Sequence, residues 1–235
     1  MLRAKLVTRA VPFIFFVFLL IAWQLIVEKF SVPQYILPAP SEIIQRMIKD
    51  YSILYFHTVV TLYESVSGFL LACVIGIVVA MLINTSSLVE RIIYPYAIMA
   101  KVIPVVAIAP LIMIWFGFGI TLKSLFLRWF LFPIVVNTVK GLKSTDPQMV
   151  KLMKSLSAHP FQIFIKLKVP SSMPYLFAGF KVAITLSVVG AIVGELVGAD
   201  RGIGHLIMIA QAYLDTELIF SAIFASAVLG WCYFP

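Results

Sequence analysis

The chain has 235 residues, of which 62% are hydrophobic and only 12% are charged. A soluble domain usually carries about 25% charged residues, so the composition excludes an ordinary soluble fold. The formal net charge is +8.

The apolar residues fall into long runs, which match the length that a helix needs to cross about 30 Å of hydrocarbon. Period-two alternation is absent from the sequence, which favours helices over a closed barrel. We therefore predict an all-α integral membrane fold, a single domain over 1–235. The predicted spans lie near 11–27, 58–83, 92–116, 122–141, 178–199 and 218–235.

The first apolar run follows Arg3, Lys5 and Arg9, so a cleaved signal peptide is an alternative to a first span. No small-residue cleavage site follows this run, which ends at Glu28 and Lys29. We predict an uncleaved span with a cytoplasmic N-terminus. Most of the 18 basic residues then fall on the inner side, as expected for a multi-pass protein of the cell membrane. This distribution explains the positive charge without a nucleic-acid partner.

The outer connection, residues 30–57, predicts a short helix. Ser41 is a suitable N-cap. Apolar residues then recur at helical spacing, namely Ile43, Ile44, Met47, Ile48 and Tyr51. We expect an amphipathic helix at the outer interface.

The inner connection, residues 142–175, has its own helix signals. Asp146 and Pro147 predict the start of a basic helix that ends near Leu156. A second segment, Phe161–Val169, is predicted to end at Pro170. The apolar residues of this connection need a cover. From the residues alone, a partner subunit and an acidic lipid surface are equally open.

Five stretches carry a further signal through their order along the chain. They are Leu37–Ser41, Lys101–Pro110, Phe132–Thr138, Leu167–Gly179 and Val193–Gly204. Together they resemble the permeases of binding-protein-dependent ABC importers, in the branch that includes sulfonate, taurine, nitrate, thiamine-precursor and riboflavin permeases. The Glu-Ala-Ala motif of that family is altered here, because Lys151 replaces its acid and Ser157 replaces its glycine.

The resemblance implies that this chain forms the translocation pathway for a small organic solute or anion. It implies four partners: a cytosolic ABC ATPase dimer, an external substrate-binding protein, a second permease copy in a homodimer, and the bilayer. ATP would be hydrolysed by the partner, since the sequence has no phosphate-binding Gly-x-x-x-x-Gly-Lys-Ser/Thr loop. We expect no cofactor on this chain. The residues expected to couple to the ATPase are Ser155, Leu156, Ser157, Ala158, His159, Pro160 and Phe161.

Three residues within predicted spans are candidates for the translocation pathway. Pro104 and Pro110 each remove a backbone hydrogen bond and kink a helix. Glu195 is an intramembrane acid, a type of residue that usually serves function. The alternatives are a static kink for the prolines and, for Glu195, a structural ion pair with Arg201 or Arg128.

Two other function classes remain open at this point. An ion-coupled secondary carrier could use Glu195 for a proton, although no paired intramembrane acid supports it. An intramembrane lipid-modifying enzyme would need a catalytic set within the spans, and we predict no catalytic residues. Neither the two cysteines nor the three histidines show metal-ligand spacing. The last run ends at Pro235 without a basic tail, so we expect a shortened sixth span.

Overall fold

The computed structural model describes residues 2–85, the helical positions 88, 91–92, 95, 99, 111 and 114–115, and residues 131–232. These residues form helices and turns and contain no strand, which agrees with the predicted all-α class. Most of the predicted span 92–116 lies outside the described residues, as does the first part of 122–141, residues 122–130.

Short connections join the helices within residues 2–85 and within residues 131–232. We number them α1 (Leu2–Lys29), α2 (Pro40–Lys49), α3 (Tyr51–Thr85), α4 (Leu131–Lys143), α5 (Pro147–Ser155), α6 (Pro160–Ile163), α7 (Val169–Gly198), α8 (Ile203–Ala212) and α9 (Thr216–Cys232). A π-helical turn, Phe164–Lys168, joins α6 to α7. Residues Pro160–Gly198 therefore form one helix of 39 residues.

Within the described residues, two helices are long and apolar enough to cross a membrane, Tyr51–Asn84 and Pro160–Gly198. The predicted spans 58–83 and 178–199 lie inside them. α8 and α9 are apolar but shorter, and α9 coincides with most of the predicted span 218–235. The number of six spans stays a prediction.

The centre of the fold is the packing of α3, α4 and α7 against one another. Ala72, Ile134 and Ala183, one from each helix, form a buried cluster. Small residues permit the close approach. A Cβ atom added to Gly76 would lie 2.9 Å from Ile134 Cγ2, and one added to Gly179 would lie 3.1 Å from Asn137 Cβ.

A second core lies at the other end of α3, where α8 and α9 pack against it. Leu54, Ile203, Leu206 and Ala222 form its buried cluster. Following the orientation that the charges predict, we call this the outer end of the molecule. The end that carries α5 and α6 is the inner end.

An ion pair and a hydrogen bond tie the outer connections together. Arg46 Nη2 of α2 lies 2.6 Å from Asp215 Oδ2, and the Thr216 hydroxyl donates to the Tyr35 carbonyl oxygen at 2.7 Å. Both contacts link the segment before α3 to the start of α9, so the short helix α2 is fixed on the outer end.

Two details of the predicted helices are wrong. α2 begins at Pro40, with Ala39 at the N-cap, so Ser41 lies in the first turn. The second inner segment does not end at Pro170 but continues into α7. The π turn explains the difference, because the Val169 amide bonds five residues back to the Phe164 carbonyl. This widened turn directly precedes Pro170, which has no N–H group to donate to the helix, and so it accommodates the proline.

Candidate functional site

The candidate coupling element is the turn between α5 and α6. α5 begins as predicted, since the Asp146 carboxylate accepts a hydrogen bond from the Gln148 amide at 2.8 Å. It ends in a Schellman motif. The Ala158 amide donates to the Met153 carbonyl at 3.0 Å, and the Ser157 amide donates to the Lys154 carbonyl at 3.0 Å.

The Schellman motif explains which residue type this turn prefers. Ser157 occupies the position that follows the helix cap and has φ = 57°, in the left-handed region. Glycine is favoured there because it has no Cβ atom to clash. Ser157 is also the residue that replaces the glycine of the motif in the permeases that this chain resembles. The turn therefore has a left-handed backbone at a residue less suited to it than glycine.

The start of α6 is capped from both directions. The Phe161 amide donates to His159 Nδ1 at 3.3 Å, and the His159 amide donates to Gln162 Oε1 at 2.9 Å. The two helices therefore meet through four residues, 156–159, whose backbone amides all donate to nearby acceptors. The turn is held in one shape without help from a partner.

The side chains of this turn face outward. Leu156 is 73% exposed and Phe161 is 64% exposed. Ala158 is half-buried, and Ile163 is the buried residue of α6. No residue of α5 is buried. The chain thus presents a pair of large apolar side chains at its inner end, on a turn of fixed shape.

The inner end of α7 is anchored by close packing on α4. A Cβ atom added to Gly141 would lie 2.9 Å from Tyr175 Cβ and 3.0 Å from the Ser172 carbonyl oxygen. The helix that carries the exposed turn is therefore seated against the central three-helix packing. Its other end lies roughly 58 Å away by the rise of an ideal helix.

At that other end lies a buried network around Glu195, whose side chain is 0% exposed. One carboxylate oxygen accepts from the Thr61 hydroxyl at 2.7 Å, and the other accepts from the Gly204 amide at 2.8 Å. The Thr61 oxygen in turn accepts from the Ile203 amide at 2.9 Å. His57 Nδ1 accepts from the Gly202 amide at 3.0 Å.

We call these five residues with Glu195 the outer clamp: His57, Thr61, Glu195, Gly202, Ile203 and Gly204. Three successive amides at the start of α8 have no carbonyl partner within the helix, and three side chains from α3 and α7 satisfy them. The positive end of the helix dipole also favours a carboxylate at this place. The clamp joins three helices through buried hydrogen bonds.

Two glycines allow this arrangement. Gly202 has φ = 107°, which side chains other than glycine rarely adopt. A Cβ atom there would overlap the Glu195 carboxyl group, and one at Gly204 would overlap the Ile192 carbonyl oxygen. The turn between α7 and α8 can therefore lie directly on the acid.

The predicted pathway residues have different positions. Pro104 and Pro110 lie outside the described residues. Glu195 is enclosed by protein, and Arg201, one of its two predicted partners, lies with its guanidinium carbon 5.8 Å from the centre of the Phe56 ring. The assignment of Glu195 to the pathway stays a prediction.

Sequence analysis missed two kinds of residue here. Besides Glu195 of α7, α3 contains an acid, Glu64, which is half-buried, and the rule that flags intramembrane acids would have found it. Thr61 and His57 gave no comparable signal, because their partners lie more than 130 residues away in the sequence. Among the described residues, no group of three His, Cys, Asp or Glu side chains could hold a metal ion.

Comparison with known proteins identifies the family. The model of the "Binding-protein-dependent transport system inner membrane component" family matches residues 72–234. The chain is 36% identical to the formylaminopyrimidine transport permease protein ThiX of Halalkalibacterium halodurans, over 93% of this chain and 88% of that one. It is 34% identical to the riboflavin transport system permease protein RibX of Chloroflexus aurantiacus, over 90% and 80%.

Another relative is a probable ABC transporter permease protein of Haemophilus influenzae, 32% identical over 91% of this chain and 88% of that one. A chain of the inward-facing MetNI methionine ABC transporter shares the fold. Its TM-score is 0.55 at 16% identity, over 79% of this chain and 98% of that one. These relatives are permeases, which are non-catalytic membrane components. The chain belongs to the family of inner-membrane components of binding-protein-dependent transport systems.

Proposed function

We propose that this chain is the permease subunit of an ABC importer, in which a separate ATPase drives alternating access. The family match over residues 72–234 carries this proposal. Membership of the family also implies a binding protein and an ATPase as partners. We propose further that two copies form a homodimer and that each spans the bilayer six times with its N-terminus in the cytoplasm.

The ATPase would dock on the turn between α5 and α6. The proposed contact residues are Ser155, Leu156, Ser157, Ala158, His159, Pro160 and Phe161. The exposed Leu156 and Phe161 support this choice, since large apolar side chains on a turn of fixed shape are suited to a groove in a partner. The same side chains could instead insert into lipid, which the experiment must distinguish.

The test is co-purification of the tagged chain in mild detergent, with Phe161→Asp beside wild type. We expect an ATPase subunit with wild type and its loss with Phe161→Asp, because a charge would enter an apolar contact. Met149→Asp is the matched control. It also places one acid on an exposed apolar side chain of this connection, 46% exposed, but at the far end of α5. Wild type that purifies without an ATPase would refute the proposal.

For the substrate we propose a nitrogen heteroaromatic solute of the pyrimidine or flavin type. The relatives that are more than 30% identical and name a substrate transport formylaminopyrimidine and riboflavin. The sulfonate and taurine permeases are 24–28% identical. Calorimetry of the partner binding protein with formylaminopyrimidine, riboflavin and an aliphatic sulfonate tests this choice. Binding of the sulfonate alone would make the proposed class wrong.

The translocation pathway would include the segment with Pro104 and Pro110, and the region beside Glu195. Glu64 is an additional candidate, because it is an acid within an apolar helix. Uptake into vesicles by Glu64→Gln measures its role. Uptake that needs ATP and persists with a protonophore separates the importer from an ion-coupled carrier.

A further inference from the structure

We propose that Glu195 is a positioning residue of transport, which holds the outer ends of α3, α7 and α8 together as one body. We call the turn between α5 and α6 the inner turn. A movement of the inner turn would then displace the outer end of the molecule as well. The part of this proposal that concerns transport rests on the proposed function. The part that concerns the three helices does not.

The first step of the argument is the continuity of the helix. Pro160–Gly198 begins at the exposed inner turn and ends three residues after Glu195. Close packing at Gly141 holds the helix against α4. The backbone hydrogen bonds of the π turn keep the helix continuous past Pro170. A displacement of its inner end therefore shifts its outer end as well.

The second step is that the outer end has one buried polar connection to each neighbour. Glu195 bonds to Thr61 of α3 at 2.7 Å and to Gly204 of α8 at 2.8 Å. Thr61 is itself bonded to Ile203 of α8. Each of the three helices is thus bonded to the other two, so none can shift alone without leaving a buried group unsatisfied.

The third step is that the clamp cannot relax in place. Glu195 and Thr61 are fully buried, and Gly202 and Gly204 are in contact with the acid. Water cannot replace a lost partner without opening the packing. A loss of the clamp should therefore appear as independent motion of α8 relative to α3.

The experiment measures this motion by spin-label distances in the full-length chain. Cys73 and Cys232 are first replaced by alanine. One label pair replaces Tyr63 of α3 and Tyr213 after α8, which are 76% and 81% exposed. A reference pair replaces Val78 of α3 and Phe177 of α7, which are 45% and 59% exposed and lie away from the clamp.

We expect a narrow distance distribution for the Tyr63–Tyr213 pair in the otherwise unchanged chain. Thr61→Val and Glu195→Gln should each broaden it, while the Val78–Phe177 distribution stays the same. Thr61→Ser keeps the hydroxyl and should restore the narrow distribution. Ser187→Ala is the control, since Ser187 is a buried residue of α7 whose hydroxyl donates to the Ile184 carbonyl of the same helix. An unchanged distribution in both clamp variants would overturn the proposal.

The second readout is the amount of substrate taken up per ATP hydrolysed by the purified transporter. Thr61→Val should lower this ratio roughly tenfold while ATP hydrolysis continues, since the loss lies in coupling. Thr61→Val leaves the carboxylate in place, so this variant separates the clamp from a direct role of Glu195 in the pathway. A broadened distance with an unchanged ratio would refute the transport role. If no ATPase co-purifies, the proposed function fails, and the distances still decide whether the clamp holds the helices.

Discussion

The inner turn and the outer clamp lie at opposite ends of the helix Pro160–Gly198 and differ in their hydrogen-bond partners and in the exposure of their side chains. At the inner turn the backbone amides of residues 156–159 all have local acceptors, yet Leu156 and Phe161 remain exposed. At the clamp the amides of Gly202, Ile203 and Gly204 donate to side chains of α3 and α7, and Thr61 and Glu195 are buried. The inner turn has a backbone that is hydrogen-bonded locally, but its large apolar side chains are exposed. The hydrogen bonds of the outer clamp form only where α3, α7 and α8 pack together.

The difference shows that a docking surface and a junction between helices have different structural requirements. A surface for a partner needs a fixed shape before the partner arrives, because ordering it during binding would cost affinity. A junction between helices needs buried polar bonds that break together, because each unsatisfied group in an apolar surrounding is costly. Substitutions at the two ends should therefore fail in different assays.

The largest effect is expected at Gly202. Gly202→Ala introduces a Cβ atom that overlaps the Glu195 carboxyl group, at a φ of 107°. Backbone strain and overpacking together should cost about 3 kcal/mol or more, which thermal unfolding in detergent measures. Gly230→Ala is the control, since its Cβ would meet nothing within 4 Å. Equal unfolding temperatures for the two variants would contradict the described clamp.

The next prediction compares the stability changes caused by substituting a buried and an exposed residue of α6. Ile163 is 5% exposed, so Ile163→Ala should lower stability by about 2–5 kcal/mol. Phe161 is 64% exposed, so Phe161→Ala should change stability by no more than about 0.5 kcal/mol and instead reduce co-purification of the ATPase. Thermal unfolding and pull-down are measured on the same preparations. A large loss of stability in Phe161→Ala would mean that this side chain is covered by its own chain.

A smaller effect is expected where α7 is seated on α4. Gly141→Ala places a Cβ atom 2.9 Å from Tyr175 Cβ and 3.0 Å from a carbonyl oxygen, and this overpacking should cost about 1–3 kcal/mol. Gly179→Ala meets its nearest atom at 3.1 Å and should cost less. Thermal unfolding of both variants tests the order. The reverse order would argue against the described seating of the helix.

The smallest effect is expected at Ser157, and it should be favourable or neutral. Ser157→Gly relieves the left-handed conformation, so stability should stay within about 1 kcal/mol of wild type or rise by that amount. Ser155→Gly, two residues earlier within α5, should instead lose about 0.5–1 kcal/mol, since glycine destabilises a helix. Unfolding temperatures compare the pair. A greater loss for Ser157→Gly would show that the turn has another backbone conformation.

Much of the inner region follows from local sequence. The Asp146 cap and the start of α5 at Pro147 were predicted correctly, because a cap and a fixed φ act within a few residues. The stop at Pro170 was wrong, because a proline signal cannot show that a π turn precedes it. α8 was not predicted as a helix, because its first amides are capped by side chains from other helices.

By itself the sequence determined that this protein is apolar, helical and a member of a permease family, since hydropathy and motif order are properties of the chain alone. It also identified Glu195 as unusual, since any acid in an apolar run is costly. Only the tertiary structure decided what surrounds that acid. Thr61 lies 134 residues before Glu195, and only the packing of α3, α7 and α8 brings the two side chains into one hydrogen bond.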